Sequence, residues 1–376
     1  MKEARQDNYF SRARKVADPK EIGLFDENMV IYVLVSDITQ LKPEIEPTDL
    51  VDTLVGLESA NLLTLQGFND TLYDRLGELR LNTRDRYRGL WVRTKLNNAK
   101  KSGLFGFDAH SELVDVGFDK TWSWAHGSAT AGLTYQWQNL HLKNPHTSLN
   151  NHVSSVGVYT SWLTESGWYT DVVARAGKYY TDNAPIHVSD VTGVEKRTLQ
   201  QTSLNNPWIF NASAELGRRI SFKNRFFLEP QLQLNYTYMR HRDIELSETI
   251  DKYFNRWEGT SDADLSLVGR LGLTLGYTFK GKDEQPVGSA YVRVNYSHEF
   301  LGQMGVNIRN VEAGDPEMVE PELSLELPHR YSWWSTDVGV TRQWGKAWSF
   351  HGGARWTFKG IADRAWELNF GARYAF

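Results

Sequence analysis

From about residue 86 to the end, apolar and polar side chains alternate one by one. In LEPQLQLNYTY at 228–238, Leu228, Leu232, Leu234, Tyr236 and Tyr238 oppose Glu229, Gln231, Gln233, Asn235 and Thr237. In LSLVGRLGLTLGYTF at 265–279, Leu271, Leu273, Leu275, Tyr277 and Phe279 oppose Arg270, Gly272, Thr274, Gly276 and Thr278. The closing WELNFGARYAF sets Trp366, Leu368, Phe370, Ala372, Tyr374 and Phe376 against Glu367, Asn369, Gly371, Arg373 and Ala375. Successive side chains of a strand point to opposite faces, so this period predicts strands with one apolar surface each. Similar runs, including weaker ones near 87–97, 105–119, 128–140, 152–163, 167–180, 208–220 and 331–343, bring the number to about twelve, an even number such as bacterial barrels have.

The spacers between these strands alternate in length. TESG, SFKNR and WGKA are tight turns, whereas long loops run at 182–206, 241–262 and 303–329. Segregation of short turns from long loops is the signature of an outer-membrane barrel, and a soluble sandwich has no reason to show it. No apolar run approaches the ~20 residues of a membrane-spanning helix, which excludes a helical membrane protein. A strand faces lipid with only every second residue, so the apolar faces are assigned to lipid and the polar faces to a wet lumen. Trp162, Trp168, Trp208, Trp333, Trp334, Trp344 and Trp348, near strand ends, are expected to form interfacial girdles.

Upstream the period changes. Leu50, Leu54, Leu57, Leu65, Phe68, Leu72, Leu76 and Leu79 recur at helical spacing, predicting one helix from Thr48 to about Arg80, a rod of roughly 50 Å. Thr48 or Asp49 would cap it, and Asp49 and Asp52 suit the positive end of its dipole. Residues 1–46 read as irregular around one short apolar run, MVIYVLV at 29–35, and the first twenty lack the apolar core of a signal peptide; an exported protein would then begin within a longer precursor. Cysteine is absent, which removes disulfides and thiolate chemistry, and a net charge of -4 with interspersed signs offers no basic field for nucleic acid.

The helix ending LYDRLGELR, the opening strand GLWVR, then VGFDK, FLEPQLQLNY, LVGRLGLTLGYTF and the terminal FGARYAF, in this order, resemble the carboxyl-terminal translocator of the monomeric autotransporters, the type V secretion family. That resemblance implies an all-β membrane protein: a twelve-stranded antiparallel transmembrane barrel with an N-terminal α-helix in its pore. It implies three parts: residues 1–46 as the tail of a passenger, 47–85 as the linker with the pore helix, and 86–376 as the barrel. It further implies a monomer in the bacterial outer membrane with its passenger at the cell surface. The implied partners are periplasmic chaperones, membrane lipid and lipopolysaccharide, and the barrel assembly machinery, which would read Tyr374 and Phe376.

The strand phases place Asp171, Arg175, Glu215, Glu229, Arg270, Arg293, Arg355, Glu367 and Arg373 in the lumen, to bind the helix or to pair with one another. Ten histidines are scattered through strands and loops without metal-ligand spacing, and are read as loop or lumen side chains. No metal or cofactor is expected. Some members of the resembled family cut their linker within the pore at an Asn, commonly one of an adjacent pair. This helix offers only Asn61 and Asn69, so an uncut linker is the preferred reading and no enzyme is expected. Two other classes stay open, a diffusion channel and a surface enzyme. The channel has no use for a long helix before its first strand, and the enzyme would draw on Asp182, His187, Asp190, His241, Asp243 and Glu245 in the long loops.

Overall fold

A computed structural model describes residues 11–13, 45–47, 49–81, 86–103, 105–189, 196–223, 225–250, 253–281, 283–312, 323–328 and 330–376. The run at 29–35, Thr48 and Asp190 lie outside them. Twelve strands form the wall. They are β1 Arg86–Lys101, β2 Phe107–Trp124, β3 Gly127–Lys143, β4 Ser148–Thr164, β5 Trp168–Thr181 and β6 Trp208–Arg218. The circuit continues with β7 Phe226–Met239, β8 Asp264–Lys280, β9 Pro286–Glu299, β10 Ser332–Trp344, β11 Trp348–Phe358 and β12 Arg364–Ala375. Each pairs antiparallel with the next, and β12 returns to β1 in register from Arg364↔Lys100 to Ala375↔Gly89. Phe376 extends the seam: its N–H donates to the Arg88 carbonyl and its carbonyl accepts from the Arg88 N–H, both at 2.9 Å. Closure leaves no wall strand with an unpaired edge in hydrocarbon.

Burial along β6 alternates without a break, outward from Trp208 and inward from Ile209. Outward apolar side chains are bare, with Leu133 and Val156 each 62 % exposed, a surface stable only in lipid. Trp333 departs from the expected girdle. It is opposite inward Ser297 and lines the interior, whereas Trp334 faces out; adjacent residues of one strand cannot share a face.

The long loops are not irregular. Ala184–Ser189 pairs with Lys196–Ser203, Arg242–Ile250 with Tyr253–Ser261, and Gln303–Glu312 with Leu323–Pro328. These hairpins also join sideways, 196–203 to 242–250 and 253–261 to 303–312, so the wall continues upward as one sheet above β5 to β10. Around the rest of that rim the connections are short.

The expected single rod is replaced by two helices and a break. Helix α1 covers Asp49–Gln66; the chain leaves helical geometry at Gly67 and resumes in α2, Leu72–Leu76, followed by a single tight turn at Leu79–Leu81. The lumen wall supplies the reason. A Cβ at Gly67 would stand 2.3 Å from the Gln138 amide, and Lys95 Nζ donates to the Gly67 carbonyl at 3.0 Å, taking an acceptor from the helix. Thr71 then starts α2 with a reciprocal capping box: its hydroxyl accepts from the Asp74 N–H at 3.2 Å and its own N–H donates to Asp74 Oδ2 at 3.0 Å.

Candidate functional site

Residues 49–81 run through the barrel from the long-loop end to the turn end. At the top, Asp49 Oδ2 accepts from the Ser189 N–H at 2.7 Å, within the first hairpin. At the bottom, Arg80 Nη2 donates to the Gly167 carbonyl in the β4–β5 turn at 3.4 Å. Between these ends the segment passes through two different surroundings.

Helix α1 sits mainly inside the raised wall. Leu50, Leu54, Leu57, Leu62 and Leu65 are buried together with Leu142, Ile186, Leu199, Ile244, Val306 and Ile308, so the leucines of the helix find apolar cover. One polar knot interrupts this. Arg242 Nη2 stands 3.6 Å from Glu58 Oε1, Ser261 donates to Glu58 Oε2 at 3.3 Å, and Asn61 Nδ2 donates to the same oxygen at 3.1 Å. Burial pushes the Glu58 carboxyl above its usual range against the opposing pull of Arg242. At the helix start His146 Nε2 lies 3.4 Å from Asp52 and 3.7 Å from Asp49; its hydrogen bond to Asp52 raises the imidazole pKa.

Below Gly67 the surroundings are ionic. Gln233 and Asn235, which flank lipid-facing Leu234 on β7, donate to the Asp70 carbonyl at 2.7 Å and to Asn69 Oδ1 respectively, so the break lies at the level of the lipid belt. Asp70 pairs with Arg93 and, at 3.0 Å, with Lys95. Asp74 meets Arg355 at 2.8 Å and Arg293 at 3.5 Å, and Arg75 meets Asp171 at 2.6 Å. Glu215 Oε2 accepts from the Leu72 N–H at 3.0 Å, and Glu229 accepts from the Tyr73 hydroxyl at 3.1 Å. Arg75, Arg93 and Arg293 are fully buried, which is tolerable because each has a carboxylate partner.

Of the nine residues assigned to the lumen from strand phase, Asp171, Glu215, Glu229, Arg293 and Arg355 touch the threaded segment. The other four bond within the wall: Arg175 to Asp115 at 3.4 Å, Arg270 to Gln233 at 2.8 Å, Glu367 to Arg355 at 3.3 Å and Arg373 to Asp119 at 2.5 Å. Arg93, Lys95, Asp115, Asp119 and Asp337 belong to the same network and fall outside those nine, although alternation in GLWVRTK, VDVGFDK and STDVGV carries the signal. Asn61 is buried, with its side-chain oxygen accepting from Tyr179 at 2.6 Å and from Arg242 at 3.4 Å. Asn69 lies in the break, not in a helix. Tyr374 and Phe376 stack at 5.8 Å on the outer face beside the seam.

Among the described residues, those expected to serve a surface enzyme do not converge. His187 is opposite Thr198, while Glu245 is opposite Thr202 on the other side of that strand, and Asp243 and Glu245 are engaged by Asn205 and Arg256. His152 stacks on Tyr180 at 4.7 Å on the outer face, neither in a loop nor in the lumen as expected, because it falls on the outward phase of β4. Beside the break a cavity of about 120 Å³ is left, its wall shared between polar Gln138, Asn235, Asn295 and Ser335 and apolar Leu63, Trp333 and Ile361, with room for water.

The family model described as Autotransporter beta-domain matches residues 90–355. Among curated proteins, the chain is 24% identical over 324 residues to the probable autotransporter YcgV of Escherichia coli (strain K12), covering 82% of this chain and 29% of that protein. It is 27% identical to the BrkA autotransporter of Bordetella pertussis over 77% of this chain and 28% of that protein. The chain thus spans under a third of the length of these two relatives. Among solved structures, the translocator domain of autotransporter NalP from Neisseria meningitidis superposes with a TM-score of 0.61 at 13% identity, over 86% of this chain and 99% of that one.

Proposed function

The chain belongs to the autotransporter β-domain family, and from that premise we propose that it anchors and exports one passenger domain joined to it upstream of Asp49. The barrel is an outer-membrane translocator. One observation carries the reading: a covalently attached segment occupies the lumen from end to end and bonds to wall strands on several sides, as a chain halted after passage would. In this reading residues 1–46 are the passenger's tail and 47–85 the linker. Chaperones of the periplasm deliver the barrel, the assembly machinery reads Tyr374 and Phe376, and the folded protein is a monomer among lipid and lipopolysaccharide. The linker stays uncut, since Asn61 is held by Glu58, Tyr179 and Arg242 within an intact helix.

An epitope inserted before Asp49 tests this in intact cells. It should be reached by external protease and antibody, and the barrel should migrate with its upstream residues attached. An epitope shielded until the outer membrane is opened would refute export, and a barrel recovered with a new N-terminus after Asn61 or Asn69 would refute the uncut linker.

A further inference from the structure

The lipid-facing wall is uneven. Around β8 it carries Leu271, Leu273 and Leu275 in succession, all exposed. Across β5 and the middle of β6 the side chains shrink to alanine, between larger neighbours. One row reads Val158, Ala174, Ala212, Tyr236, and the row above it reads Val156, Ala176, Phe210. The alanines and the backbone of Gly157 form the floor of an apolar groove of about 670 Å³ on the outer wall, with Leu133 at one side and Tyr236 at the other.

Charge stands at the long-loop end of this groove. Lys178, two positions above Ala176, pairs with Trp208 across the ladder; its Nζ lies 4.6 Å from the indole centroid and donates to the Asn206 carbonyl at 3.0 Å, leaving further donors. Arg240 is exposed on the other side of the same tryptophan, its N–H bonded to the Trp208 carbonyl at 3.0 Å. Along β5 and β7 the next acids, Asp182 and Asp243, lie beyond the wall on the hairpin side, Asp243 bonded to Asn205; beside Arg240 on β8, Asp264 is buried on the inner face and Asp262 is exposed at the rim. A cationic pair set on an interfacial Trp, directly above an apolar groove, is complementary to a lipid with a phosphate at the headgroup and an acyl chain below.

We propose that this face binds one molecule of the phosphorylated glycolipid of the outer leaflet, lipid A, with a phosphate between Lys178 and Arg240 and an acyl chain along Ala176, Ala174 and Ala212. The charges also select against a second copy of the barrel. Two barrels joined groove to groove would bring the Lys178 and Arg240 pairs together, like against like.

Native mass spectrometry of the full chain released from detergent tests the site, with bisphosphorylated lipid A and the same lipid stripped of phosphate as probes. Wild type should retain the phosphorylated form at least about tenfold better, at roughly 1 kcal/mol per cation. Lys178→Gln with Arg240→Gln should remove that preference, and Ala174→Leu with Ala212→Leu should lower retention of both probes. Heat-modifiable migration confirms that each variant is folded, and Ala212→Val serves should the double leucine variant fail to assemble. Equal retention of the two probes by wild type would overturn the proposal. So would retention unchanged in the glutamine variant, or a wild-type dimer that the leucine variant abolishes.

Discussion

Helix α1 and residues 67–81 are neighbours in one segment, yet they are held by opposite kinds of wall. Around α1 the raised hairpins present chiefly Ile186, Leu199, Ile244 and Ile308, their few polar groups meet side chains such as Glu58 and Asn61, and the backbone satisfies itself as a helix. Around 67–81 the wall presents Arg93, Lys95, Gln233, Arg293 and Arg355, and there the backbone and carboxylates bond outward to the barrel. Helicity in this segment follows the chemistry of the surface facing it more closely than its own leucine spacing.

The comparison breaks most completely if one half is removed. Deleting residues 67–81 strands fully buried Arg93 and Arg293 without their segment partners, so the barrel should melt at a clearly lower temperature and single-channel conductance in planar bilayers should rise sharply. Removing 49–66 should raise conductance much less, and equal conductance from the two deletions would show that the lower half is not the plug. Next in size, Asp70→Ala breaks two buried ion pairs at once, leaving Arg93 paired only with Asp115 and Lys95 only with Glu367 at 3.7 Å, and should cost about 3–5 kcal/mol in urea titrations of the refolded barrel. In the upper half Leu54→Ala should cost about 3 kcal/mol by opening a cavity, with the lumen pairs undisturbed. A larger loss from Leu54 than from Asp70 would reverse the ranking of the two grips.

The smallest effect belongs to the clasp at the start of α1. His146 has a folded pKa raised by Asp52 and Asp49, so its contribution is full below the ordinary histidine value of 6.5 and fades as pH rises through the higher folded value. Hydrogen exchange at residues 49–53 should therefore quicken beyond its intrinsic base dependence between pH 6 and pH 8, a change His146→Gln should abolish. Unchanged protection across that range would exclude the clasp.

The wall was legible because lipid and water impose opposite demands on alternate residues, and every strand carries that contrast in its own sequence. The break at Gly67 was not. Leu72, Leu76 and Leu79 continue the spacing of Leu65 and Phe68, and the groups that unwind the helix, Lys95 and Gln138, come from β1 and β3. Local signs were present in GFNDT at 67–71, which supplies a glycine, two residues prone to bond their own backbone and a cap. The hairpins escaped notice because their strands are short and their pairing is mostly with one another. Trp333 was misplaced by counting aromatics near a strand end without following the phase through Trp334.

The bonds of the lower segment leave it in many directions: to β1 through Arg93, β5 through Asp171, β6 through Glu215, β7 through Glu229, β9 through Arg293 and β11 through Arg355. Under traction applied from outside, along the axis of α1, these attachments are loaded together in shear and cannot be peeled one at a time. Force on the upstream end is thereby shared around the circumference of a hydrogen-bonded ring. Such a rivet gives way only when several ion pairs fail at once, so its strength is that of the whole set and not of its weakest pair.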